Sequence, residues 1–272
     1  MRSTSPVLAL SALSLLALGA ASCGSDTNDS SATSTAAVAA PAITTAGTTA
    51  GTTAGTSADA DTVAYCAAEA AAEQAGADLG DPDADTKAVA TAFLPIAQKV
   101  HDLAPPELTP LFDTALAAVK TAIETGSTEA LESVDLLPAH KYDVAHCAWT
   151  TTAVKTQDYK FVGIPTSLAA GVHNFEIQNE GTEPHVLLIV RKKAGVTASY
   201  EEILADLASA ESKVDTVAAG FNPPGGNGYA IATLEPGEYL ALCPISKGTT
   251  MSAEGTGEPH FMLGMQQIIT VT

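Results

Sequence analysis

Basic residues are scarce in this chain. Its 272 residues hold 12 Lys and Arg against 31 Asp and Glu, a formal net charge of −19. A nucleic-acid binder needs a cationic face to displace counterions, so that class is excluded. Attraction to anionic lipid head groups is excluded for the same reason. Aromatics are only 5% of the sequence, with one Trp, and the 46% that is apolar is weighted toward Ala. Beyond the N-terminus no apolar run reaches the ~18 residues that a membrane span requires. No Ser/His/Asp set, no closely spaced carboxylate pair and no phosphate-binding loop stands out, so the chain does not read as an enzyme and shows no small-molecule substrate site. An acidic chain of this kind reads as soluble and self-repelling.

The N-terminus is built for export. Arg2 precedes an apolar run from Val7 to Ala21, and small residues lead into Cys23. This is a signal peptide and not a structural element, so residues 1–22 are expected to be removed. Leu18-Gly19-Ala20-Ala21-Ser22-Cys23 resembles a bacterial lipobox, which implies acylation of Cys23, a lipid anchor and the extracytoplasmic face of the cell membrane. Acyl chains contribute ~0.8 kcal/mol per buried CH₂. Residues 23–58 are nearly all Ser, Thr, Ala and Gly, with Thr-Thr-Ala-Gly three times over. They hold nothing that could form a core, and read as a disordered tether reaching ~30–35 Å.

Two regions of different period follow. Residues 59–152 read as helical: Val63 to Ala72 has high helix propensity, Asp85-Thr86 opens a second segment with Val89, Phe93, Ile96 and Val100 on one side, and Leu111, Leu116, Val119 and Ile123 mark a third. A short stretch after Thr128 and a last helix after Pro138 complete a small bundle. Cys66 and Cys147 bracket it, and in an exported protein they are expected to pair as a disulfide. His101, His140 and His146 fit no metal spacing and read as surface or capping residues.

Residues 153–272 read as a β-sandwich of seven or so strands. The first begins near Tyr159. His173–Asn179 alternates, and Val186–Val190 is apolar throughout, so it reads as a strand buried on both faces. Ser199-Tyr200-Glu201-Glu202 is a capping box that opens an inserted helix. Tyr229–Leu234, Tyr239–Cys243 and Gln267–Val271 are later strands. His173 reads as a strand-end residue without function. The fold class is therefore multidomain: a disulfide-linked helical bundle, then a Greek-key sandwich with an inserted helix.

With Cys23 acylated and Cys66 paired to Cys147, Cys243 has no partner, and an unpaired Cys outside the cytoplasm is a liability unless buried or used. His185 heads a buried strand. Four residues separate His260 from Met265, and Met251, Met262 and Met265 crowd one segment. Two imidazoles, a thiolate and a thioether are the ligands of a blue-copper site. At these residues the sequence resembles the cupredoxin family. Asn179-Glu180-Gly181-Thr182-Glu183-Pro184-His185 is similar to its Asn-x-Gly-x-x-x-His, Leu234-Glu235-Pro236-Gly237-Glu238-Tyr239 leads similarly into Cys243, and His260-x4-Met265 resembles its final ligand pair. The whole layout resembles actinobacterial cupredoxin-like lipoproteins. The resemblance implies one copper per chain, held by His185, Cys243 and His260 with Met265 axial, and single-electron transfer with a redox partner protein. In two places the sequence departs from the pattern: sixteen residues separate Cys243 from His260, and Val186 follows the first His where Asn is common. Two alternatives stay open. One is Cu(I) handling through His260 and the methionines; the other is a metal-free binding module, which the long loop favours.

Overall fold

A computed structural model describes residues 60–76 and 85–272; Cys23, the signal segment and the tether lie outside these residues. Among the described residues, no helix is long and apolar enough to cross a membrane. The described helices and strands belong to one compact unit.

Five helices come first: α1 (Ala60–Gly76), α2 (Thr86–Leu103), α3 (Thr109–Thr125), α4 (Glu129–Glu132) and α5 (Leu137–His146). Asp85 caps α2 by accepting from the amides of Lys87 and Ala88 at 3.0 and 3.3 Å, which satisfies two otherwise orphaned donors. Gly126 ends α3 in the left-handed region at φ 75°, where a Cβ would be strained. Tyr65, Val100, Phe112 and Ala139 fill one helical core, and Ala90, Val119, Ala122 and Leu131 a second. Cys66 and Cys147 are joined as the sequence implies. The bridge closes a separation of 81 residues, and loop-closure entropy makes such a link worth about 4 kcal/mol.

Nine strands follow, in place of the seven or so expected. They are β1 (Thr150–Gln157), β2 (Lys160–Val162), β3 (Ser167–Leu168), β4 (Gly171–Asn179), β5 (His185–Lys192), β6 (Val214–Asn222), β7 (Asn227–Leu234), β8 (Gly237–Leu242) and β9 (Gln266–Val271). They make a four-stranded sheet ordered β2-β1-β4-β7 and a five-stranded sheet ordered β3-β9-β8-β5-β6. The first strand starts at Thr150, well before Tyr159, and runs parallel to β4. Its burial is confined to Val154 and Thr156, so its apolar signal is faint. Val154, Phe175 and Ile177 meet Leu187, Ile189, Val217 and Ile269 between the sheets. The apolar run in β5 is buried on both sides: Leu187 and Ile189 point into the sandwich, while Val186, Leu188 and Val190 pack with Tyr200 and Ile203 of α6 (Tyr200–Leu204). The capping box of α6 forms, with the Ser199 amide donating to Glu202 Oε2 at 2.7 Å. A further short helix, α7 (Leu207–Lys213), leads directly into β6.

The histidine reading needs one correction. His101 links α2 to α3 by binding Asp113 at 2.9 Å, and His146 is exposed. His140, by contrast, is only 7% exposed and stacks on Tyr229 of β7 at 3.7 Å, so it is neither a surface nor a capping residue. Burial pushes it down to about 4, and it stays neutral. His173 is also buried, with Nε2 2.8 Å from the Ala169 carbonyl oxygen.

His140 adjoins an acidic patch. Asp143 and Glu69 are buried beside Tyr65, and Glu73 is half-buried one turn from Glu69. Burial pushes Asp143 and Glu73 up to about 7, and Glu69 well above its ordinary range. Tyr229 feels the same carboxylates. Folded pKa values above the unfolded ones mean stability that is complete below about pH 4 and is lost as pH rises through about 7. The thermal midpoint should therefore fall between about pH 5 and pH 8. Asp143→Asn should flatten the slope, since its shift alone is worth roughly 4 kcal/mol. An equal slope in parent and variant would show that these carboxyls are not the cause.

Candidate metal centre

Strand pairing sets the first two donors side by side. β5 runs antiparallel to β8, with Leu188 opposite Leu242. His185 opens β5 and Cys243 follows the last residue of β8, so both sit at one end of the sheet. The Val186 amide donates to Cys243 Sγ at 3.4 Å.

The third donor arrives on a loop that is shorter in space than in sequence. Ser246 and Pro259 form a bridge, the Lys247 amide donates to the Glu258 carbonyl at 3.0 Å, and the Gly257 amide to that of Lys247 at 3.0 Å. Most of the sixteen residues between Cys243 and His260 are thus folded out of the connection as a hairpin. Backbone bonds then fix the ends. The His260 amide donates to Ile245 O, Phe261 to Cys243 O, Met265 to His260 O and Cys243 to Met265 O, all within 2.8–3.1 Å. His260 lies in a single 3-10 turn (His260–Leu263) that Gly264 ends at φ 114°.

His185, Cys243, His260 and Met265 are all 0% exposed. His185 Nδ1 and His260 Nδ1 lie 3.1 Å apart, and Cys243 Sγ is 3.4 Å from the second and 4.0 Å from the first. These are the only three His, Cys, Asp or Glu donors to converge in this way among the described residues. Two nitrogens and a sulfur bound to one first-row transition-metal ion stand about 3.3–3.8 Å apart at trigonal or tetrahedral angles. The observed 3.1, 3.4 and 4.0 Å straddle that range by about 0.2 Å at each end, so small side-chain adjustments bring the three donors onto such an ion. Met265 is buried in the same cluster as Cys243 and Phe261. Met251 and Met262 are instead 54% and 55% exposed.

Two carboxylates orient the rings, and neither was singled out from the sequence. His185 Nε2 is 3.2 Å from Asp158 Oδ1, and His260 Nε2 is 3.1 Å from Glu183 Oε2. Each neutral ring accordingly carries its proton on Nε2 and leaves Nδ1 as the bare acceptor. Both carboxylates are held in turn. Asp158 accepts from the Thr182 hydroxyl at 2.7 Å and from its amide at 3.0 Å. Glu183 accepts from the Tyr159 hydroxyl at 3.0 Å and the Gly248 amide at 2.8 Å. Burial raises both carboxyls, but these donors outweigh it and hold each below its ordinary range. Asp158 and Tyr159 form the two-residue turn between β1 and β2, and Tyr159 takes φ 71°, a rare conformation for a non-glycine residue. Its ring lies 4.8 Å from that of His260.

The Asn179–His185 segment shows why its residue types matter. Asn179 donates to the carbonyls of Glu183 and Asn222 at 2.8 and 3.1 Å and accepts from the Gly181 amide at 2.8 Å. A Cβ on Gly181 would strike Asp158 and come within 2.9 Å of His185 Nε2. Burial lowers both imidazoles, with the second ring adding to the effect at His185, so each keeps its metal-binding neutral form. Burial also pushes the Cys243 thiol up to about 12. A cation at the site would reverse that preference and favour the thiolate.

No family model matches the chain, and no curated protein matches it. Among solved structures it is similar to dithionite-reduced auracyanin from the photosynthetic bacterium Roseiflexus castenholzii, at 18% identity and a TM-score of 0.31 over 46% of this chain and 98% of that one. Auracyanin A, a "blue" copper protein from Chloroflexus aurantiacus, gives 18% and 0.30 over 45% and 98%. Rusticyanin from Thiobacillus ferrooxidans gives 18% and 0.27 over 46% and 79%. Scores this low carry no functional argument, and the chemistry of the site stands on its own distances.

Proposed function

We propose that this chain is a cupredoxin-like copper protein with a Greek-key sandwich, lipid-anchored on the extracytoplasmic face of the cell membrane, that passes single electrons and is not an enzyme. The observation that carries the reading is the meeting of two bare Nδ1 atoms and one sulfur, all fully buried. Neutral imidazoles and a thiolate select a soft or borderline transition metal, and Met265 would add a weak axial thioether. Copper, when bound, would supply a one-electron couple. The residues around it would do the rest. Asp158 and Glu183 hold the rings, the backbone bonds among Cys243, His260 and Met265 hold the loop, and full burial keeps water away. A site held from so many directions changes shape little between oxidation states, which suits a carrier.

Copper handling is the weaker reading, because Met251 and Met262 are exposed and only Met265 is buried with Cys243. A net charge of −19 suits a basic redox partner. The tether would lift the sandwich from the membrane, with Cys23 as the acylated residue.

Copper titration with visible spectra and native mass spectrometry tests the site. One copper per chain and an intense blue band are expected. Cys243→Ser should remove the band, whereas Met265→Leu should keep it with a shifted potential. Absence of copper binding would leave the metal-free module as the better reading. Tight Cu(I) binding that survives Cys243→Ser, without colour on oxidation, would favour handling.

Gly181→Ala should disturb the Asp158–His185 pair, because the added Cβ crowds Asp158 and the Nε2 side of His185 while leaving all four donor side chains in place. Copper affinity is expected to fall about 10–100-fold, the usual cost of losing a ligand's outer hydrogen bond. Unchanged affinity would show that Asp158 does not position the ring.

Cys23→Ala should move the protein from the membrane to the soluble fraction. Retention in the membrane would remove the lipid anchor from the proposal.

A further inference from the structure

A cavity of about 190 Å³ lies between the helices and the four- and five-stranded sheets, walled by α1, α2, α3, β6 and β7. It is independent of the metal centre. Its lining is mainly apolar, including Phe93, Leu116, Val119 and Ile231. An apolar cavity of about 150 Å³ is enough to hold benzene, so this one has room for a small aromatic or aliphatic body.

One wall is different. Glu69 and Glu73 stand at i and i+4 on α1, side by side on the face that lines the cavity. Glu69 is 6% exposed, and its carboxylate has no hydrogen-bond donor among the described residues. The charges nearest to it, Glu73 and Asp143, are both acidic. No Lys, Arg or His is among the described residues that line the cavity. A carboxyl buried in this way stays protonated alone and takes its charged form only when a cation pairs with it.

The class of partner follows from the walls. An anion is repelled. A metal ion lacks a ligand set, since no group of three donors converges here among the described residues. A purely apolar guest would leave Glu69 unpaired. We propose that the cavity binds a small apolar molecule carrying a protonated amine, with its body against Phe93, Leu116, Val119 and Ile231 and its ammonium on Glu69 and Glu73. Burial already drives both carboxyls toward the neutral form, and an ammonium would return them to the charged one.

The test titrates the full copper-free chain with three probes of similar shape: 2-phenylethylamine, 2-phenylethanol and 3-phenylpropionate. Calorimetry gives affinity, and methyl chemical shifts of Val119 and Ile231 report the place. The amine should bind at least about tenfold more tightly than the alcohol, as expected for a charged hydrogen-bonded pair, and the propionate should not bind. Glu69→Gln should cut the preference for the amine to less than about threefold while leaving binding of the alcohol intact. Ala115→Met, which fills the cavity from α3, should abolish binding of amine and alcohol alike. Melting curves confirm that each variant is folded. Equal affinity for amine and alcohol, an amine preference that survives Glu69→Gln, shifts confined to other residues, or no saturable binding of any probe would each overturn the proposal.

Discussion

The site turns on two nitrogen lone pairs. His185 Nδ1 and His260 Nδ1 face one another at 3.1 Å with no donor hydrogen of their own to place between them, because each ring's proton is held at Nε2 by a carboxylate. Two acceptors that close and fully desolvated repel; the Cys243 S–H, 3.4 Å from His260 Nδ1, can serve only one of them, whereas a cation held by all three donors would relieve both. The surrounding structure serves to maintain this arrangement. The β5–β8 pairing brings His185 to Cys243, the bonds among Cys243, His260 and Met265 close the loop, and the β1–β2 turn delivers Asp158 and Tyr159 from the opposite sheet.

The carboxylates give the pocket a chemical character beyond its ligands. A ring that donates to a carboxylate is a stronger base at its other nitrogen, which favours the more highly charged state of a bound ion. Glu183 is itself braced by Tyr159 and Gly248, so it cannot swing to become a ligand without losing two donors. Orientation and exclusion are thus performed by the same residues.

Most of the donor set was legible in the sequence because chemistry and spacing coincide there. Cys243 stood out as the cysteine left over, and His185 and His260 were marked by their positions beside a buried strand and a methionine. The two-sided burial of Val186–Val190 could also be read, since a continuous apolar run has no polar face to show. Asp158 and Glu183 could not be found in that way. Carboxylates are plentiful in this chain, and only tertiary pairing distinguishes these two. β1 was hidden by its Thr-rich composition, with burial only at Val154 and Thr156. His140 was misread because its partner, Tyr229, comes from a strand far along the chain. Its burial depends on how the helices meet the sheet, which no local pattern records.

The bridge between Ser246 and Pro259 divides the Cys243–His260 segment into two parts with separate constraints. Residues on the site side of the bridge are bound by the geometry of the donor cluster. Beyond Gly248, whose amide still serves Glu183, the chain turns back through the Thr250–Ala253 pair and bears no bond to a donor side chain. Because lengthening a surface loop costs only ~0.6 kcal/mol per doubling, that tip can vary in length, and in sequence away from the tightly packed Gly255, while the donors stay in register. Selection for recognition of other molecules can act on the tip without being opposed by the demands of the donor cluster.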